Sequence, residues 1–382
     1  MMKGTHAWVA VLVICLIWYA PVVSGEPGQS GNSNSGEFVN ISGTDSGLVV
    51  NTSGIASGTD TIQVVDSLGT TVTIHGTPRR IVSLAPSNTE LLGSLDLMDR
   101  VVGVTMFCNY PEEALAKPKI GGFSTVNVEK VVAVRPDLIL AEPKNGQETI
   151  DRLRKLGFPV IVLKSRDISE IFTNLRLIGA ATRTSDRADQ VVAGLQQRLD
   201  VIANATQCSG TTPTVAHIMS QNPIYVSGNN TYQNDIIHLA GGRNAFPSVE
   251  MWGTVTLEDL LLLDPDYILV NAGTGMVNET TGTNPVYEYF THDKRTQHLK
   301  AVRENHFILV ETNTLSRGGT RTIDATELIA YAIHPECYGQ NATALPQSTP
   351  PVKSPGYAAG VACAGLVLGI SLLRRFPRAV IS

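Results

Sequence analysis

Apolar positions along this chain recur with two different periods, and the periods alternate. Between residues 61 and 74 apolar and polar residues take turns on either side of Ser67-Leu68-Gly69, which predicts a β-hairpin. Short apolar runs follow at 81–84, 101–104, 138–140, 159–163, 215–219, 267–270 and 307–310. Segments with helical spacing lie between them, at 89–97, 111–115, 149–156, 231–239 and 321–334. Strands alternating with helices predict a mostly parallel sheet with both faces covered. Residues 168–206 break this rhythm. They carry apolar residues at helical spacing over a long span without a proline, which predicts a rigid connecting helix between two α/β halves.

The halves share a phrase. Residues 127–140 read NVEKVVAVRPDLIL and residues 256–269 read TLEDLLLLDPDYIL, and they align without a gap. Each copy opens on a residue able to cap a helix (Asn127, Thr256) followed by an acid in the first turn (Glu129, Glu258). A short apolar helix follows, Pro-Asp closes it, and a buried strand begins. The copies are too far apart for a solenoid, whose period is roughly 20–50 residues. They predict two lobes of similar build with a cleft between them, rather than one continuous core.

At 382 residues the chain accommodates two domains and accessories. The expected division is a signal peptide at 1–25, a Gly/Ser/Asn-rich tether at 26–59, an N-terminal lobe at 60–167, the connector at 168–206 and a C-terminal lobe at 207–338. A Pro/Ser/Thr stalk (339–355), a membrane anchor (356–373) and a cytoplasmic tail (374–382) complete it. The ends carry the reasons. Lys3 precedes an apolar run closed by Ser24-Gly25. The uncharged stretch 356–373 is followed at once by Arg374, Arg375 and Arg378, which the positive-inside rule keeps in the cytoplasm. The globular part is then extracytoplasmic and held at the cell surface. Sequons at Asn40, Asn51, Asn204, Asn229, Asn278 and Asn341 suit that location. A formal charge of −5 and a pI near 5.9 argue against a nucleic-acid surface. Outside the apolar ends the cysteines are Cys108, Cys208 and Cys337. Three cannot all pair, so a disulfide framework is not expected and at least one thiol is free.

No catalytic constellation emerges. The chain has no Gly-x-Ser-x-Gly, no phosphate-loop lysine and no His-Glu-x-x-His, and its eight histidines share no ligand spacing, so neither an enzyme nor a metal site is expected. Aromatics at strand ends are more informative. Phe107 follows the strand at 101–104, Phe123 follows Gly121-Gly122, Tyr225 follows Asn222-Pro223, and Trp252 sits in a Pro-, Gly- and Thr-rich segment. Ligands of open α/β sheets bind outside the carboxyl ends of the strands, where aromatics from both halves can clamp a large flat ligand. The bland alternative is that each aromatic covers its own lobe. Glu129 and Glu258 are either helix-dipole partners or, as a pair, anchors for a partner with two-fold symmetry.

Several of these segments together resemble one family. They are RIVSLAPSNTELL (80–92), RVVGV (100–104), Tyr110-Pro111, IGGF (120–123), the Val-x-x-x-Pro-Asp-Leu-Ile segment, DIIHLAGGRN (235–244) and His334-Pro335-Glu336. They are similar to the periplasmic-type substrate-binding proteins of cobalamin and iron–siderophore ABC importers, most of all to the vitamin B12-binding branch, over roughly residues 61–338. The resemblance implies two Rossmann-like α/β lobes with parallel sheets joined by one long helix. It further implies a corrinoid held between the lobes by Phe107, Phe123, Tyr225 and Trp252, with Asn313 and Arg317 from the far lobe. Glu129 and Glu258 fall on the pair that docks onto a dimeric ABC permease with its ATPase. The protein would be a monomer with no catalytic activity, no cofactor of its own and cobalamin or a related corrinoid as transported ligand. Departures from the pattern, with Phe at 107 and 123 and no aromatics in 313–316, leave an iron–siderophore or haem as the competing ligand. A surface structural or adhesion protein that has lost its ligand is the competing role. The tail resembles archaeal surface-anchoring tails, with Tyr357 where the common form has Phe.

Overall fold

The computed structural model describes residues 60–273 and 284–338. The expected signal peptide, the tether, the stalk, the membrane anchor and the tail lie outside the described residues, as do the sequons at Asn40, Asn51, Asn278 and Asn341. Among the described residues no helix is long and apolar enough to cross a membrane.

The predicted hairpin forms from β1 (Thr61–Val65) and β2 (Thr71–His75), paired antiparallel. Its alternation has the expected consequence: Ile62, Val64, Val72 and Ile74 face inward and are buried. Asp66 closes the turn by accepting the N–H groups of Leu68 and Thr70 through Oδ1, both at 2.9 Å. Its other oxygen receives Arg154 at 2.6 Å and the N–H of Val162 at 3.2 Å, which fastens the hairpin to the first lobe.

That lobe is built from β3 (Ile81–Ser83), α1 (Pro86–Ser94), β4 (Val101–Val104), α2 (Val128–Ala133), β5 (Leu138–Ala141), α3 (Gln147–Lys155) and β6 (Val160–Val162). Its sheet is wholly parallel in the order β4-β3-β5-β6. Every residue of β3, β5 and β6 is buried, because helices cover both faces.

The second lobe holds β7 (Thr214–Gln221), β8 (Ile224–Ser227), α6 (Tyr232–Leu239), β9 (Arg243–Asn244), β10 (Trp252–Val255), α7 (Leu257–Leu263) and β11 (Tyr267–Ala272). After the break come α8 (Pro285–His292), α9 (Lys300–Arg303), β12 (Phe307–Glu311), α10 (Thr312–Ser316), α11 (Thr322–Ile333) and α12 (Pro335–Tyr338). Here the expectation of a parallel sheet needs correcting. The strands β7, β11 and β12 are parallel, but β8 runs antiparallel to β7 and β10 antiparallel to β8. Asn222-Pro223 is too short a connection for a parallel crossover and folds β7 and β8 into a hairpin.

The repeated phrase is reproduced in three dimensions. Asn127 and Thr256 each cap their helix, accepting from Lys130 and Asp259 respectively. Arg135 and Asp264, aligned in the repeat, both take positive φ (44° and 39°) just before the proline. The following aspartates do the same work. Asp137 accepts the N–H groups of Arg79 and Arg80 at the entry to β3, and Asp266 accepts the N–H and hydroxyl of Thr214 at the entry to β7.

Two corrections concern the connector. The expected single helix at 168–206 is two, α4 (Ile168–Thr182) and α5 (Ser185–Thr206). Arg183 takes the left-handed conformation between them (φ 59°), and α4 folds back on α5, with Arg176 bonded to Asp189 at 3.1 Å. The strut between lobes is α5. Near its start Arg187 pairs with Asp96, and further along Arg198 pairs with Asp324 and Glu327 of α11. Its far end carries a disulfide, Cys208–Cys337, contrary to the expectation from cysteine parity; Cys108 is the free, buried thiol among the described residues. The lobes also share more core than a clean cleft implies. One apolar cluster runs from the hairpin through α1, α4 and α5 into α6 and α11, while the opposite face of each sheet has a core of its own.

Candidate ligand-binding cleft

Loops leaving the carboxyl ends of β3, β4 and β5 face α10, the Arg317-Gly318 segment that follows it and the start of α6 across a cavity of about 330 Å³. Phe107, Phe123, Asn313 and Arg317 line it. The loop after β4 is pinned from inside by Cys108, whose buried sulfur lies 3.1 Å from the hydroxyls of both Thr89 and Thr105. With Cys108 turned in, Phe107 is turned out, and it is 53% exposed. The Phe123 loop is held by Asn145, whose amide donates to the carbonyls of Leu84 and Phe123, each at 2.8 Å. Both aromatics therefore stand on backbone fixed by buried polar groups.

Tyr225 and Trp252 do not line this cavity. They sit on the antiparallel strands β8 and β10 and stack on each other, with ring centroids 5.6 Å apart and planes 16° apart. Trp252 lies in a strand rather than the expected loop, and its edge meets His217 at 5.7 Å. His217 is fully buried between Ser227 (2.9 Å) and Asn271 (2.8 Å), and Asn271 in turn donates to Ser316 at 2.6 Å. Burial holds the imidazole down to about pKa 4 despite the Asn271 bond, so it is neutral. Ser316 lines the cavity, so the aromatic pair is linked to it by the Trp252–His217 ring contact and then by hydrogen bonds through Asn271.

Sequence reasoning missed the group on which the lobes close. Glu90 of α1 has a fully buried side chain and receives two arginines from the other lobe. Arg321 donates to it at 3.2 and 2.5 Å, and Arg317 at 3.3 Å. Arg317 also donates to Asn109 at 2.7 Å and to the carbonyl of Phe107 at 3.0 Å, while Arg321 lies 4.3 Å over the ring of Tyr110. Desolvation pushes the Glu90 carboxyl up against the opposing pull of both arginines. Gly318 and Gly319 permit the approach: a Cβ on Gly318 would strike Ser165, and one on Gly319 would come within 2.6 Å of the Glu90 carboxylate. The sequence offered half of a signal: two arginines four residues apart beside a cleft need an acid, but nothing local says that the acid is Glu90.

Glu129 and Glu258 occupy the same position in the first turns of α2 and α7, each on the surface at the carboxyl edge of its lobe's sheet. Glu129 is paired with Arg152 at 2.9 Å, with both side chains more than half exposed. Among the described residues no group of three or more His, Cys, Asp or Glu is placed to hold a metal.

Two α/β lobes, a connecting helix and a cavity between the sheets' carboxyl edges define a bilobal solute-binding protein. The chain belongs to the periplasmic binding protein family, whose pattern it matches over residues 81–314. It is 30% identical over 286 residues to an uncharacterised ABC transporter substrate-binding lipoprotein of Bacillus subtilis, covering 72% of this chain and 87% of that protein. It is 25% identical over 261 residues to a vitamin B12-binding protein of Pectobacterium atrosepticum, covering 67% and 88% respectively. Among solved structures it resembles the periplasmic vitamin B12 binding protein of Vibrio cholerae (TM-score 0.58, 24% identity, 69% of this chain and 99% of that one). It also resembles a periplasmic heme-binding protein of Roseiflexus sp. (TM-score 0.61, 23% identity, 69% and 100%). The family is one of transport solute-binding proteins, not enzymes.

Proposed function

We propose that this protein captures a corrinoid between its lobes and delivers it to an ABC permease dimer with its ATPase. The observation that carries the ligand class is the pairing at the cleft. The walls offer Phe107, Phe123 and Tyr232, and both arginines beside them are already committed within the protein, Arg317 to Glu90, Asn109 and the Phe107 carbonyl, and Arg321 to Glu90 and Glu311. A strongly anionic ferric catecholate calls for uncommitted cations, whereas a nearly neutral macrocycle with a large apolar face does not. Tyr225 and Trp252 contribute as the stacked support of the wall, through His217, Asn271 and Ser316. Glu129 and Glu258 act as docking anchors, one per lobe, at equivalent positions in the first turns of α2 and α7. The sequence at both ends supports secretion and surface anchoring, which places capture outside the membrane.

Isothermal calorimetry with cobalamin, cobinamide, haem and a ferric catecholate tests the ligand. Binding of a corrinoid in preference to the other two is expected, and tight binding of a ferric siderophore alone overturns the assignment. Docking is tested on the same protein in reconstituted uptake. Glu129→Ala/Glu258→Ala is expected to keep corrinoid affinity and lose transport, because such charge pairs act on encounter and partner choice. Uptake at the normal rate by the double variant removes them from the mechanism.

A further inference from the structure

One carboxylate at the cavity caps the short turn that follows it, in a reciprocal box with Asn145, yet leaves one of its oxygens unused. Glu142 follows β5 and lines the cavity with Lys144, Tyr232 and Arg317. Its backbone N–H is satisfied by Asn145 at 2.7 Å. Its Oε2 is sealed from solvent and finds no hydrogen-bond partner. Glu90, nearby in the same cleft, shows what a structural acid looks like here: two arginines hold it. Lys144 exerts only an electrostatic pull on Glu142, and its own side chain is on the surface. An unpartnered acceptor against a cavity is costly unless something donates to it, and the donor is then what enters the cavity.

We infer that Glu142 is a specificity-determining residue that accepts a hydrogen bond from an N–H donor of the ligand, such as a primary amide on a macrocycle's rim, and repels ligands presenting carboxylates there. This rests on the corrinoid reading and deepens it, because a corrinoid carries a rim of primary amides. The other polar groups on the wall are the hydroxyls of Ser87, Ser165, Tyr232 and Ser316, the Asn313 amide, and the cations Lys144 and Arg317, the latter held by Glu90 and Asn109. Among them Glu142 is the one group that, ionised, accepts from an amide and repels a carboxylate.

The test compares cobinamide with a corrinoid whose peripheral amides have been hydrolysed to carboxylates, on the full folded protein by calorimetry. Wild type is expected to favour the amide form by tenfold or more, on the order expected of one charge-assisted hydrogen bond. Glu142→Gln, nearly isosteric and with unchanged thermal melting, is expected to lose most of that preference, chiefly by gaining affinity for the hydrolysed form. Glu142→Asp, which keeps the charge, is expected to retain it. An amide-to-acid ratio unchanged in Glu142→Gln overturns this inference and leaves the corrinoid reading intact. Failure of both corrinoids to bind wild type overturns both.

Discussion

His217 shows how one buried side chain links the cleft to pH. Asn271 gives its amide N–H to Ser316, so its oxygen faces Nε2 of His217, which therefore carries the proton; Ser227 donates to Nδ1. Both ring nitrogens are used, and neither site accommodates a second proton. The folded value near 4 lies below the ordinary 6.5, so the folded state refuses a proton that the unfolded chain binds. The stabilisation is complete above pH 6.5 and is lost as pH falls toward 4, on the order of 3 kcal/mol across the window. Thermal melts from pH 7.5 to 4 should fall steadily in wild type. His217→Gln should melt lower at neutral pH, by about 1–3 kcal/mol for the broken bonds, with a visibly flatter pH slope. Equal slopes would show that the acid sensitivity lies elsewhere. At this scale the sequence was legible where a residue's setting is local. Phe107 and Phe123 follow strand ends and could be placed by that alone. Glu90 and Glu142 could not, because the burial of a carboxylate depends on groups far away: Arg317 is 227 residues from Glu90.

At the level of elements, the repeat was readable because its signals are short-range. A capping side chain, an acid in the first turn and a proline act within a dozen residues, and both copies use them alike; only the aspartates reach further, to Arg79 and Arg80 in one copy and to Thr214 in the other. The break between α4 and α5 was not readable. Its left-handed residue is Arg183, not the glycine that usually marks such a turn, and what fixes it is tertiary. Gly179 lies so close to Ala188 that a Cβ there would approach to 2.6 Å, and Arg183 also reaches Asp60. The disulfide was hidden for a similar reason, since an odd cysteine count says nothing about which two meet. Cys208–Cys337 joins the end of α5 to α12 across 129 residues of sequence, closing the entire second lobe into a loop. Chain-entropy reasoning gives a bond of that span about 2–5 kcal/mol of stabilisation. Cys208→Ser/Cys337→Ser should therefore melt well below wild type under oxidising conditions, and reductant should bring wild type down to the same point. Because the bond lies in the second lobe, away from the cavity-lining residues, corrinoid affinity in the folded variant should be nearly unchanged. A variant that melts like wild type would mean that α12 is held by packing alone.

On the scale of the whole molecule, the shared core decides how the lobes move. The apolar cluster running through α4 and α5 joins both sheets, so a wide hinge motion would expose buried surface from each lobe, at roughly 25 cal/mol for every Å². Glu90 with Arg317 and Arg321 closes the opposite side of the same joint. The present cavity is smaller than a corrin with its side chains, so on the proposed corrinoid reading admission requires the bonds from Arg317 to Asn109 and Phe107 to part while the core stays joined. The direction of the change is thus the reverse of the familiar clamshell: the liganded protein should be as wide as the unliganded one or slightly wider. Small-angle scattering with and without cobalamin measures this, and a large compaction on binding would contradict it. The latch itself predicts a variant. Glu90→Ala leaves two arginines in the cleft without their acid, a loss of about 3–5 kcal/mol in stability if the lobes stay shut. If they part instead, water reaches the guanidinium groups, much of that cost is recovered, and the unliganded radius of gyration grows. Gly319→Ala should act the same way by steric means, since its new Cβ meets the Glu90 carboxylate. Both variants are expected to scatter as wider particles and to release bound corrinoid faster than wild type. If Glu90→Ala melts lower but keeps the wild-type radius and release rate, the buried acid supports the fold without governing the cleft.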